Sequence, residues 1–404
     1  MEYFDAVIIG GGAAGLMCAI SAKQKNADKK IAIIEKNERV GKKLLATGNG
    51  RCNLTNQNIN TDKYFGSFTK KSEYIFKEYT SEHLLDIFND LGLMTYADSE
   101  GRYYPFCRQA SAVLDVLRFA CDRLSVEIFL SQSIRTLKKQ NNSFIIKTNE
   151  KEFRSDKLVI ACGSKAAPKL GGSASVTDYL KNFGHKVIPF SPALCPVKVR
   201  SNVLKSLKGI RATALVTLFD KNKNKIKSEH GEIQFSDNSL SGICIFNLSV
   251  YAQKGDVIRL DLLPDIAFSD LYNILFRHKV LFLKQALDNL FTGILQKRLS
   301  QAVLKISGLS DFSCICENIS DKQIRDLCRT VKSMEFEITE KESFEKAQCA
   351  LGGAHGSQID EKTMQSKIVK GLYIVGEAVD ICGECGGYNL HFAFSSGHLA
   401  GENL

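Results

Sequence analysis

The sequence predicts an α/β fold whose parallel sheet is assembled from both ends of the chain, with an antiparallel β-region and a helical region inserted between them. Three observations carry this. An apolar run passes through three glycines into a helix of small residues in "DAVIIGGGAAGLMCAISA" (residues 5–22). A second strand, glycine turn and small-residue helix closes the chain in "GLYIVGEAVDICGECGGYNLHFAFSSGHLAG" (371–401). Between them, residues 196–263 alternate in polarity and residues 269–331 repeat apolar positions at threes and fours.

Taken in order, Ala6 to Ile9 suits a buried parallel strand and Ala13 to Ala22 a helix. Between them stands Gly10-x-Gly12-x-x-Gly15. The first glycine permits the tight turn, the second admits a pyrophosphate against the backbone, and the third lets helix and strand pack closely. Ala13 and Ala14 then offer their N–H groups at a helix start, where the partial charge is positive. Ile31 to Ile34 is the next strand, ending at Glu35, twenty residues after Gly15. A carboxylate there bonds ribose hydroxyls and repels a 2′-phosphate, which favours FAD or NAD over NADP. Lys36 follows at the same edge. These features predict a Rossmann-like dinucleotide-binding domain.

Downstream, "RVGKKLLATGNGRCNLTN" (39–56) is poor in large apolar residues and dense in donors. It is expected to fold over the dinucleotide through Lys43, Asn49, Gly50, Arg51, Cys52 and Asn53; a purely structural loop is the alternative. "VEIFL" (126–130) leads into a meander containing "SFIIKTNEKEFRSD" (143–156), and "LVIACG" (158–163) is a further apolar strand. Val126, Ala161, Cys162 and Gly163 are expected cofactor contacts. At the far end, Gly376, Glu377, Gly387, Tyr388, Asn389 and Leu390 return to the same site. A domain finished from the C-terminus suits an extended FAD, and only one glycine fingerprint is present, so no separate NAD(P)H domain is expected. The predicted boundaries are 1–189 with 346–404 for the FAD domain, 190–264 for the β-domain and 265–345 for the helical subdomain.

Composition bounds the reading. The 404 residues carry 54 Lys and Arg against 44 Asp and Glu, a net charge of +10 spread in mixed clusters, so nucleic acid is not the expected partner. The densest basic run, "KNKNKIK" (221–227), suits a hairpin tip. Thirteen scattered cysteines, an odd number, suit reduced intracellular thiols, and no apolar stretch is long enough to span a membrane. A cytoplasmic protein without a bound metal is expected.

The fingerprint, "KKLLATGNGRCNLTN", "GEIQFSDNSLSG", "LGGAHGSQIDEKTMQSKIVKGLYIVGEAVD" and "CGGYNLHFAFSSGHLAG" together resemble the BaiN-like (YhiN-like) FAD-dependent oxidoreductases, also grouped as aminoacetone-oxidase-like flavoproteins. The resemblance spans essentially the whole chain. It implies noncovalent FAD in a domain built from both termini, with an inserted β-domain and a helical subdomain. The chain departs from the family pattern at Ala350–Gly356 and in "SDNSLSG" (236–242). Hydride transfer between flavin and a small organic substrate is expected, with NAD(P)H as a transient reductant; an oxygen-using amine oxidase and an RNA-binding or tRNA-modifying flavoprotein are the alternatives. His355 is a candidate acid or base, and Tyr388 a candidate group beside the flavin. Cys382-Gly-Glu-Cys385 reads either as a redox pair or as two loop thiols.

Overall fold

Four consecutive buried residues, Ala6 to Ile9, force the first strand (Glu2–Ile9) into the middle of a sheet, because a strand apolar on both faces needs cover on both. In the structure, a computed structural model describing residues 1–404, this strand pairs in parallel with Ile31–Ile34 on one side and Glu152–Ile160 on the other. Glu127–Phe129 continues the sheet beyond Ile31–Ile34. The far edge of Glu152–Ile160 is shared. Its first half pairs antiparallel with Ser143–Thr148, which in turn pairs with Ile134–Gln140. Its second half pairs in parallel with Leu372–Ile374, so the C-terminal segment completes a seven-stranded sheet.

Helix Ala13–Lys25 follows the glycine turn and is buried along most of its length. Its partner is the last helix, Tyr388–Glu402. A Cβ at Gly397 would stand 2.3 Å from the Ala14 carbonyl oxygen, and one at Gly401 would stand 2.4 Å from that of Cys18. Glycine at both positions is therefore what lets the first and last helices lie backbone to backbone.

The chain divides into two compact units, Met1–Ala193 with Ala347–Leu404, and Leu194–Lys346. The second contains a closed antiparallel barrel of six strands in the order Val197–Arg200, Ser239–Ser241, Lys225–Phe235, Arg211–Phe219, Val257–Asp261 and Met334–Lys341. Helices Phe268–Leu281, Lys297–Ile306 and Asp321–Lys332 bury Leu275, Val303 and Leu327 in the same core as barrel residues Val216 and Ile258.

Two expectations are corrected here. The β-region and the helical region share one core and form a single unit, and Met334–Lys341, assigned to the helical region, closes the barrel. Within residues 196–263, whose alternation predicts strands, "GICIFNLS" (242–249) is instead helix Ile243–Ser249, entered through Gly242 at φ +119°. Glu127–Phe129 lies in the parallel part of the sheet and leads into the antiparallel strands Ile134–Gln140 and Ser143–Thr148. No helix is long and apolar enough to cross a membrane.

Candidate dinucleotide site

Parallel strands present their carboxyl ends on one edge, and the loops after them build the site there. Gly10 N–H donates to the Ile34 carbonyl at 2.9 Å, tying the turn to the second strand. Gly10 has φ +106°, and a Cβ on it would stand 2.5 Å from the Ala161 carbonyl oxygen. At Gly15 a Cβ would stand 2.0 Å from the Gly10 oxygen. Gly12 is different. No atom lies within 4 Å of the place a Cβ would take there. It is the N-cap of helix Ala13–Lys25, no side chain caps it, and the first turn holds no acidic residue. Open space before uncapped helix N–H groups, including those of Ala13 and Ala14, fits a diphosphate.

Glu35 is buried at the end of its strand. The Gly11 N–H donates to its Oε2 at 2.8 Å, while the backbone N–H and Nδ2 of Asn37 donate to its Oε1 at 2.9 and 2.6 Å. The carboxylate is thus locked beside the glycine turn. Lys36 next to it is exposed.

The C-terminal segment meets the same turn. The place of a Cβ on Gly376 is 3.0 Å from the Ala14 Cβ, and Gly376 N–H donates to Ser396 Oγ at 3.1 Å. Lys43 reaches from the second glycine loop to Glu377, Nζ to Oε2 at 2.6 Å. Ser164 Oγ donates to that same oxygen at 3.4 Å, and Gly163 lies beside it. Burial disfavours the Lys43 ammonium, but the Glu377 carboxylate outweighs it and holds the lysine pKa above its usual value. Cys349 and Cys382 are both buried, and the Cys382 thiol donates to the Gly383 oxygen at 3.5 Å.

The loop before the last helix is tied down from several sides. The Asn53 amide, turned so that its oxygen accepts from Gly387 N–H at 3.1 Å, joins it to the second glycine loop. Asn56 Nδ2 donates to the Gly386 oxygen at 2.9 Å. Asn389 spends its side chain inside the loop, accepting from Gly383 N–H and donating to the Gly383 oxygen, both at 2.8 Å. Tyr388 is buried, its ring edge-on to Tyr64 at 5.8 Å, and Tyr64 Oη donates to its carbonyl at 2.8 Å. Leu390 is half-buried in the first turn of the helix.

The sequence-predicted residues therefore fall into groups. Gly10, Gly12, Ala13, Ala14, Gly15, Glu35, Lys43, Ala161, Cys162, Gly163, Gly376 and Glu377 gather around one cradle. Asn49, Gly50 and Arg51 form an exposed loop tip, where Asn49 and Gly50 adopt positive φ and the Arg51 guanidinium lies 5.1 Å over the Tyr104 ring. Burial pushes the Cys52 and Cys162 thiols up to about 12, so both are protonated at neutral pH. His355 caps a short turn, its Nδ1 paired with Ser357 Oγ at 2.8 Å, and none of its hydrogen-bond partners belongs to the cradle.

Val126 is a correction. Register pairs Phe129 with Ile34 at the site edge, which leaves Val126 three residues back, about 10 Å along a strand at roughly 3.3 Å per residue. Missed altogether were Asn37, which orients Glu35, and Asp380, whose carboxylate accepts from Ser67 N–H at 2.8 Å and Gly352 N–H at 2.9 Å.

Sheet order, glycine turn, locked carboxylate and uncapped helix start define a dinucleotide-binding protein of the Rossmann type. The chain belongs to the HI0933-like family: residues 4–403 match the family model described as the HI0933-like protein Rossmann domain. It is 33% identical over 402 residues to the 3-dehydro-bile acid delta(4,6)-reductase of Clostridium scindens, covering 98% of this chain and 97% of that one. It is 29% identical over 405 residues to the ribosomal RNA dihydrouridine synthase of Escherichia coli, covering 100% and 98%. The enzyme of that name from Haemophilus influenzae is 27% identical over 410 residues, covering 100% and 99%.

Proposed function

We propose that the chain is a reductase with noncovalent FAD, acting on a carbon–carbon double bond conjugated to a carbonyl group. The observation that carries this reading is the open cradle before Gly12, walled from the far end of the chain by Gly376 and Glu377. A dinucleotide held by its diphosphate at the first helix and continuing past Lys43 and Glu377 needs the length of FAD. The relatives' names add the chemistry. One is a delta(4,6)-reductase of a dehydro bile acid and the others form dihydrouridine, and each of these saturates a double bond adjacent to a carbonyl. The bound flavin supplies the hydride for such a reduction. The residues of this chain hold the diphosphate at Gly12 to Ala14, orient the adenosine ribose through Glu35, and fix the remainder against the Lys43–Glu377 pair. NAD(P)H is the proposed reductant, docking transiently over the flavin.

The test is an absorbance spectrum of the purified protein followed by anaerobic titration with NADH and NADPH. Flavin bands that bleach with either support the reductase. A bound flavin that neither bleaches, and that reoxidises in air within seconds after photoreduction, favours the oxidase instead. A second reading, a nucleobase substrate held in RNA, is supported by a surface of exposed Phe106 against Tyr96, with the Arg108 guanidinium 5.1 Å over the Tyr96 ring. Aromatic and arginine faces of this kind stack bases. RNA retention that falls steeply with salt supports it, and retention indifferent to salt removes it.

A further inference from the structure

Helix Phe268–Leu281 turns Leu271 and Leu275 into the core of its unit, and those two positions leave its opposite side facing outward. That outward side is not polar. Phe276 is 43% exposed, Val280, one turn further on, 55%, and Leu281 62%, and exposed Leu283 follows in the turn after the helix. Arg277 and Lys284 stand exposed among them, and neither is paired with a carboxylate. From Leu271 to Leu287 the chain carries no acidic residue. At the margin, the Arg325 guanidinium lies 4.8 Å over the Tyr272 ring, and the Tyr272 hydroxyl donates to Asp321 at 3.0 Å. Glu317, exposed on the other side, donates its N–H to the Leu283 oxygen at 3.0 Å.

The four apolar side chains together expose on the order of 300 Å², in the range of the largest patches on monomeric proteins, which are often functional. This is well short of the roughly 800 Å² per partner that a stable dimer buries. Three of the four are aliphatic and give a nucleobase no ring to stack on. An aliphatic patch set among unpaired cations instead complements an anionic bilayer, which takes up apolar side chains at its headgroup–acyl boundary without a matching shape. We propose that Phe276 to Lys284 seat the protein on an anionic lipid surface. Phe276, Val280, Leu281 and Leu283 enter that boundary, and Arg277 and Lys284 reach the headgroups along their apolar stems. The helix is too short to cross a membrane, so it lies along the surface.

The experiment is co-sedimentation of the full-length protein with vesicles of phosphatidylcholine alone and of phosphatidylcholine mixed with phosphatidylserine, alongside size-exclusion chromatography and retention on poly(U). The expected result is a protein that pellets with the mixed vesicles, pellets far less with phosphatidylcholine alone, and is partly released by salt. Val280→Ser with Leu281→Ser is expected to weaken partitioning onto the mixed vesicles by about tenfold or more. Arg277→Gln with Lys284→Gln is expected to weaken it by about tenfold and to remove most of the salt dependence. Circular dichroism of both variants is expected to match the wild type, because every side chain changed is exposed. Mixed vesicles that pellet no protein, or that pellet both variants as well as the wild type, overturn the proposal. A wild-type mass of two chains that falls to one in Val280→Ser with Leu281→Ser overturns it in favour of a second copy. Poly(U) retention that Arg277→Gln with Lys284→Gln abolishes, without vesicle binding, overturns it in favour of RNA.

Discussion

Gly12 and Gly15 belong to one fingerprint yet answer to different forces, and single methyl groups separate them. A Cβ at Gly12 meets nothing in the protein, so Gly12→Ala is expected to cost less than about 1 kcal/mol, from a weaker cap, while FAD affinity falls by about tenfold or more. At Gly15 the methyl would sit 2.0 Å from a backbone oxygen, so Gly15→Ala is expected to destabilise the fold by about 1–3 kcal/mol. Paired urea unfolding and FAD titration separate the two. His391 supplies a pH signature of its own. Its ring is wholly buried, with Nδ1 2.8 Å from Thr55 Oγ1, and burial lowers its pKa from 6.5 to about 3. The unfolded chain takes up this proton below pH 6.5 and the folded one does not, so stability is lost as pH falls from 6.5 towards 3. Replacing it by His391→Asn is expected to flatten that window by up to about tenfold in the unfolding constant per pH unit. A slope identical in the variant would refute the assignment. The fingerprint glycines and Glu35 were legible in the sequence because each is defined by its spacing from a strand end. Asn37 was not, since a carboxylate's orienting partner needs only to be nearby in space.

The loop Gly383–Gly387 shows how much one side chain adds to the ties that hold an element. Asn389 closes it through Gly383 N–H and the carbonyls of Gly383 and Glu384. Asn389→Ala leaves those groups without this partner and is expected to cost about 1–3 kcal/mol, with faster amide exchange at Gly383. Unchanged exchange at that amide would show that the clamp does not hold the loop. The sequence offers Asn389 as an amide beside the flavin; in the fold that amide braces the loop from within. Elements with strong periodicity were legible, among them the first strand, the small-residue helix, the hairpin at Ser143–Ile160 and the barrel strand Arg211–Phe219. Ile243–Ser249 was not, because a short segment led by the four apolar residues Ile243 to Phe246 fits a buried helix as well as a strand. Met334–Lys341 alternates cleanly, but it follows three helices, and only closure of the barrel shows where it belongs.

At the scale of the molecule, the insertion leaves and returns at neighbouring points. Ala193, the last residue of the first unit before the insertion, pairs in register with Cys349 just after it. The chain can therefore host Leu194–Lys346 without breaking the sheet that reads its two termini together. That both termini build one site was legible, since two glycine turns after apolar strands at opposite ends have few other uses. The division of the insertion was not, because barrel and helices share a core that periodicity does not reveal. Gly376 N–H is held by Ser396 of the last helix, and that helix packs through Gly397 on Ala14, so a chain ending before Tyr388 is expected to bind no FAD. The most direct measurement is equilibrium binding of FAD to the full-length protein. The account predicts one tightly held FAD per chain, released intact on denaturation, with NAD unable to displace it. A colourless protein that refuses FAD, or one that takes NAD in its place, would contradict it.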